Sequence, residues 1–217
     1  MTAQFAPNTD HLDTGRSDDD LVDALLRGTD AQFDIAATVI YRRHSPAVLR
    51  FASMIASSRE IALDATQEAF VWLTASGEQG GARKFDASRG SLAALLCGVA
   101  RNHVLRLQTA DARFVLADDD SALDGMLEAQ DLEAMPTGFE ALEQTQRSRA
   151  LLDAVAQLPY EFREAIVLVE LEGMSYEAAA AVIGCPIGTI RSRLSRAKAR
   201  LKDGLTELFT PHTGNSA

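Results

Sequence analysis

The sequence predicts an all-α protein: two small helical domains joined by an acidic linker, the second containing a helix-turn-helix. Three observations predict it. Apolar residues recur at steps of three and four, while strict alternation is rare. Between two such periodic stretches, Asp111 to Glu143 holds ten acids against one base, Arg113, which reads as a linker with at most transient helix. Finally, Ser175 to Lys202, SYEAAAAVIGCPIGTIRSRLSRAKARLK, reads as two helices broken by a tight turn. Six prolines and 6% aromatics do not favour a β-rich chain. The expected organisation is a lead over 1–19, a first domain over 20–108, a linker over 109–144, a second domain over 145–203 and a loose tail over 204–217.

The lead is polar, carries Pro7 and Gly15, and reads as disordered. The run Asp18-Asp19-Asp20 favours the positive end of a helix near 20–27, which stops at Gly28. Phe33, Ala36, Ala37, Ile40, Tyr41, Val48, Phe51, Ala52 and Ile55 give an apolar face over 31–57, with a kink or break expected at Pro46. A third helix, about 59–75, turns Ile61, Ala65, Ala69, Trp72 and Leu73 inward and leaves Asp64, Gln67, Glu68 and Val71 on another side. The Gly-rich segment 77–89 is a loop. Ser91 caps a fourth helix, about 91–108, with Leu92, Leu95, Leu96, Val99 and Val104 inward and a polar, mildly basic far half.

The second domain begins near Ala141. Leu142, Leu151, Leu152, Val155 and Leu158 mark one helix. Pro159 suits the first position of the next, where its missing N–H costs nothing, and that helix runs through Phe162, Ile166, Val167, Val169 and Leu171 to Gly173. Ser175 then caps the first helix of the helix-turn-helix. Gly184 is placed to take a left-handed conformation, and Pro186 cannot continue a helix.

The last helix has two unlike sides. Ile187, Ile190, Leu194, Ala197 and Leu201 share one face. Thr189, Ser192, Arg196 and Ala199 point the other way. Arg193 and Arg200 flank that outer face on one side; Arg191, Lys198 and Lys202 flank it on the other. Pro186 to Lys202 holds six Lys/Arg and no acid, in a chain with 21 Lys+Arg against 31 Asp+Glu. Such a helix suits the major groove, where guanidinium groups grip phosphates or guanine edges and short polar side chains approach bases. It also fits a solvated basic face on a helical bundle.

Composition narrows the function classes. A net charge of −10 argues against general coating of nucleic acid, so any DNA contact must come from local patches. Cys97 and Cys185 make no CxxC and read as small buried or half-buried residues. His11, His44, His103 and His212 are scattered, which gives no metal spacing. No cofactor motif, Gly-rich phosphate loop or paired nucleophile and base stands out, so an enzyme is the poorest fit. The N-terminus has no basic region followed by an apolar run, and no apolar segment approaches the ~18 residues that span a bilayer. The expected location is a reducing cytoplasm.

Two segments carry a family resemblance. LPYEFREAIVLVELEGMSYEAAAAVIGCPIGTIRSRLSRAKARL resembles the promoter-reading domain of bacterial sigma factors of the extracytoplasmic-function (ECF) type. DATQEAFVWL and FDASRGSLAALLCGVARNHVLRL resemble the other conserved domain of the same family. Their order, the linker between them and the total length also fit.

The resemblance implies a dissociable promoter-specificity subunit of RNA polymerase. Asp64, Gln67 and Glu68 match the acidic helix that docks on the clamp helices of the polymerase's largest subunit. Arg101 and Asn102 match positions near the melted −10 element; physically, Asn102 offers a donor and an acceptor to a base edge, and Arg101 and Arg106 can meet phosphates. On the last helix the expected −35 contacts are Thr189, Arg191, Ser192, Arg193, Ser195, Arg196 and Arg200. The family also implies promoter DNA as a ligand and an anti-sigma protein as a partner. There are departures: 108–116 lacks the dense basic cluster of many relatives, and the linker is longer and more acidic than in minimal members. An autonomous helix-turn-helix regulator would use the same last helix but leave the Asp64–Glu68 face unexplained. A protein-only regulator would leave the basic face idle.

Overall fold

A computed structural model describes residues 15–77, 80–115 and 149–209, with side chains through 109 on the fourth helix and through 204 on the last. Residues 1–14 of the expected lead, 116–144 of the linker, 145–148 at the start of the second domain and 210–217 of the tail lie outside these.

The first bundle holds four helices, α1 (Asp18–Arg27), α2 (Asp30–Ile55), α3 (Arg59–Thr74) and α4 (Leu92–Val115), with a 3-10 turn at Gly81–Lys84. Each start is fixed by a side chain. Ser17 and Asp20 form a reciprocal capping box on α1, and Thr29 and Gln32 form another on α2. Ser58 caps α3, and Ser91 accepts from the Ala94 N–H at 3.2 Å to start α4. In the acidic run, Asp20 closes the cap of its own helix, and Asp18 reaches across to Arg43 at 2.8 Å and His44 at 3.1 Å on α2.

Packing follows the apolar stripes. Leu21, Ile40, Val48, Phe51, Ile55, Leu73, Leu92 and Leu96 are all fully buried, and α2, α3 and α4 each touch the other two. At roughly 1.5–3 kcal/mol for each such side chain, this burial is the main force holding the four helices together. Pro46 does not break α2, which continues to Ile55. It sits on the exposed side, where water can serve the carbonyl left without a donor, and the buried His44 and Val48 on either side anchor both halves of the helix. α4 runs to Val115, seven residues past the expected end at 108.

The second bundle holds α5 (149–156), α6 (Tyr160–Ile166), α7 (Tyr176–Ile183) and α8 (Ile187–Phe209). Pro159 stands at the N-cap of α6, one place before its expected position. Val167–Leu171 widens into a π turn, closed by the Glu172 N–H on the Val167 carbonyl at 2.9 Å, before Gly173 turns the chain at φ +66°. Ser175 caps α7, and Gly184 ends it at φ +75°. α8 keeps Ile190, Leu194, Ala197 and Leu201 buried as expected, while Ile187, at the helix start, is exposed. It passes 203 and reaches Phe209, because Leu205 and Leu208 continue the apolar spacing.

The two bundles touch. α7 packs on α4, and α6 and the π turn pack on α2. Among the described residues no helix is long and apolar enough to cross a membrane, and no cluster of metal-ligating side chains occurs.

Candidate nucleic-acid and polymerase interface

The expected contact residues fall on three surfaces. On α8, Arg191, Ser192, Ser195, Arg196 and Arg200 are exposed, and Thr189 is half-buried. They lie outward because the buried stripe from Ile190 to Leu201 fixes the rotation of the helix. Ser192 Oγ donates to the Thr189 carbonyl at 2.9 Å, which turns it back along its own helix. Arg200 lies 5.2 Å above the Phe162 ring, a cation–π contact that steadies the guanidinium. Lys198 pairs with Glu170 at 2.9 Å, and that bond raises its pKa. Arg191 and Arg196 pair with no described residue, so both point cations at solvent.

Arg193 departs from its neighbours. Its Nη1 donates to Glu164 Oε1 at 2.9 Å, and the side chain is mostly covered. The other oxygen of the same carboxylate, Oε2, accepts from Arg101 Nε on α4 at 2.7 Å. Glu164 is only 1% exposed. One buried carboxylate thus joins an expected −35 residue to an expected −10 residue.

The −10 candidates therefore have different surroundings. Arg101 is bound as above. Asn102 is exposed and lines a cavity of about 400 Å³ between the 84–91 loop, α4 and α7. Trp72 walls that cavity from below, packed against Gly81 and with Lys84 Nζ 5.7 Å above its ring. Arg106 is exposed and lies 2.9 Å from His103 Nδ1.

On α3, Asp64 and Gln67 are exposed and Glu68 is half-buried. His103 Nε2 lies 2.6 Å from Asp64 Oδ2. Leu63 and Val71 stand exposed on either side of the acids. Tyr41, also exposed, packs edge-on against Phe70 with ring centroids 4.9 Å apart. The face is therefore mixed, acidic with apolar side chains beside the acids.

Residues 40–114 match the family Sigma-70 region 2, and residues 148–201 match Sigma-70, region 4. The ECF RNA polymerase sigma factor SigC of Mycobacterium tuberculosis is 31% identical over 85% of this chain and 91% of its own length. The chain belongs to the ECF RNA polymerase sigma factor family. Another relative of this sigma factor, the RNA polymerase sigma-H factor of Pseudomonas aeruginosa, is 29% identical over 90% of this chain and 97% of its own. Among solved structures, the sigma factor RpoE in complex with the anti-sigma factor NepR from Bartonella quintana superposes with a TM-score of 0.58 at 28% identity, covering 76% of this chain and 94% of that one. CnrH, solved with the cytosolic domain of CnrY, superposes at 0.56 over 89% of this chain and 99% of that one, and at 22% identity it speaks to the fold alone.

Sequence reasoning did not single out Glu164, Glu172, Arg50 or His103 in this sigma factor. A signal existed for Glu164. It lies four residues after Tyr160 and four before Leu168, on the buried stripe of an otherwise apolar run, and a lone acid there needs a cationic partner. Its two partners, Arg101 of the other bundle and Arg193 of its own, are distant in sequence and not legible locally.

Proposed function

We propose that this sigma factor binds core RNA polymerase and directs transcription initiation by reading −35 and −10 promoter elements. The observation that carries the reading is the pairing, in order along one chain, of the region 2 and region 4 matches. The exposed cations Arg191 and Arg196 on α8 support the −35 role, together with Thr189, Ser192, Arg193, Ser195 and Arg200. Arg101, Asn102 and Arg106 on α4 serve the −10 element. Asp64, Gln67 and Glu68 dock on the clamp helices of the polymerase's largest subunit, with Leu63 and Val71 supplying apolar contact beside them. The polymerase does the chemistry and this chain none, so no cofactor is needed, and it works where the polymerase works, in the cytoplasm. An anti-sigma protein is a further partner and holds it inactive; the sigma factor RpoE, solved in complex with the anti-sigma factor NepR, supports this. The working division is a polymerase- and −10-binding domain over 20–108 and a −35 domain over 145–203.

Two weak reading surfaces joined in one chain, and both held by the polymerase, raise each other's effective concentration. Neither need bind DNA tightly alone, and the net charge of −10 disfavours free binding. Run-off transcription with core polymerase over a randomised promoter library tests the proposal: new start sites sharing two spaced motifs support it, and unchanged starts refute it. A polymerase pull-down lost on Asp64→Arg with Gln67→Ala separates this reading from an autonomous helix-turn-helix regulator.

A further inference from the structure

Asp64 and Arg106 belong to different surfaces, yet one ring joins them. Asp64 stands on α3 among the polymerase-facing acids, Arg106 stands on α4 with the −10 candidates, and both are exposed. His103 lies buried between them, with Nε2 2.6 Å from Asp64 Oδ2 and Nδ1 2.9 Å from Arg106 Nη2. The reach depends on small side chains: Ala62, Ala65 and Ala69 are buried on α3 and let α4 pack closely against it. A carboxylate only accepts, so Nε2 carries the ring proton and Nδ1 presents a lone pair, into which the guanidinium donates. The three groups form one chain of hydrogen bonds, charged at both ends, through a ring whose two nitrogens play opposite parts.

We propose that His103 is a positioning residue that couples polymerase docking to DNA binding: it holds Arg106 until a partner cation takes up the charge of Asp64. The inference rests on the roles proposed above for Asp64 and Arg106. The carboxylate draws on the Nε2 proton, which enriches the Nδ1 lone pair and tightens its bond to Arg106. Neighbouring bonds in such a chain strengthen one another by roughly 10–30%. Asp64 Oδ2 is engaged by the ring, and the rest of this exposed carboxylate is left for a docking cation. A cation there disperses the charge, both bonds in the chain weaken, and the guanidinium turns to a phosphate, which offers it the same charge-assisted geometry. The coupling runs both ways. A phosphate that takes Arg106 relaxes the pull on Nε2 and leaves Asp64 with more charge for the docking cation. A histidine buried for packing alone would also need its nitrogens satisfied, but nothing would pass between them.

The test uses the full chain without polymerase and a mixed-sequence DNA single strand at low salt, read by anisotropy. Asp64→Asn stands in for the docked state, because it keeps an oxygen for the Nε2 proton and loses the charge. Glu60→Gln removes the same charge from an exposed site one turn away on α3 and serves as the control. Asp64→Asn should raise DNA affinity about twofold more than Glu60→Gln does, the size expected when one charge-assisted bond in a chain weakens. That excess should vanish in an Arg106→Ala background, and again in a His103→Leu background. Nitrogen-15 spectra of the wild-type chain should show His103 protonated on Nε2 and bare on Nδ1. Circular dichroism checks that each variant keeps its helices; if His103→Leu does not fold, the Arg106→Ala pair and the spectra still decide. Equal effects of Asp64→Asn and Glu60→Gln overturn the coupling, as does an excess that survives Arg106→Ala, or a ring bare on Nε2 or protonated on both nitrogens. Capture by core polymerase is measured separately. Capture lost in Asp64→Asn without the DNA excess removes the coupling alone, whereas unchanged capture removes the docking role of Asp64 and the coupling with it.

Discussion

His103 and Asp64 meet across the α3–α4 contact, with Nε2 2.6 Å from Oδ2. A guanidinium only donates, so Arg106, 2.9 Å from Nδ1, requires that nitrogen to accept and leaves the proton on Nε2, aimed at the carboxylate. The histidine is 8% exposed, while the Asp64 side chain is 59% exposed. A buried ring therefore orients an outward carboxylate on the expected polymerase face. His103→Leu should weaken capture by core polymerase about two- to fivefold, the range of a largely exposed charged contact. His103→Gln, which can still donate, should recover most of the loss. Anisotropy titration of labelled protein with core enzyme measures both, and equal loss in the two variants would assign His103 to packing alone.

The exposed cations of α8 should separate into two behaviours. Arg196→Ala should cost about 1–3 kcal/mol at a base-contact position and relax the preference there. Arg191→Ala, on the flank, should weaken all promoters alike and reduce the salt slope by about one. Competition transcription on promoter variants across a salt series distinguishes them.

Gly81 is held against the six-membered ring of Trp72, so that any Cβ would overlap the ring. Gly81→Ala should cost about 1–3 kcal/mol through overpacking, lowering Tm by roughly 2–4 °C per kcal/mol at this chain length. Trp72 is the only tryptophan, so its emission reports the same displacement. An unchanged Tm and spectrum would show that the loop yields freely.

Burial pushes the Cys97 thiol up to about 12, with Glu172 adding and Arg50 opposing. Well below pH 9 the thiol is neutral folded and unfolded, and it contributes no pH dependence. Above its ordinary value near 9.0 the unfolded chain ionises first, so stability falls until about pH 12, with a limiting slope of ~1.4 kcal/mol per pH unit. Cys97→Ala should therefore lose less stability than the wild type between pH 8 and 10.5. Urea midpoints at the two pH values give the comparison, and parallel losses would place the alkaline sensitivity elsewhere.

Much of the architecture was legible because it is local. Ser91 and Ser175 cap the helices they precede, and Gly184 takes the left-handed turn expected of it. The stripe Ile190, Leu194, Ala197 and Leu201 is buried because a helix of 3.6 residues per turn sets all four on one side. Helix ends were less legible. α4 and α8 outrun their expected limits: no glycine or proline follows 108 to stop α4, α8 runs through Gly204, and fraying ends carry little sequence signal. Of the kink or break expected at Pro46, the break is overruled by packing on both sides.

Local patterning fixes the helices, their apolar faces and the basic helix in an acidic chain. Each of these depends on residues within a turn or two of one another. Which cations of α8 face solvent depends instead on packing between distant elements. Arg191 and Arg193 look alike in sequence, two places apart, yet one faces solvent and the other is bound to Glu164 beside Arg101. The physical reason is that a buried carboxylate needs compensating charge wherever packing delivers it, and its two partners lie 63 residues before it and 29 after it, separations that periodicity does not encode.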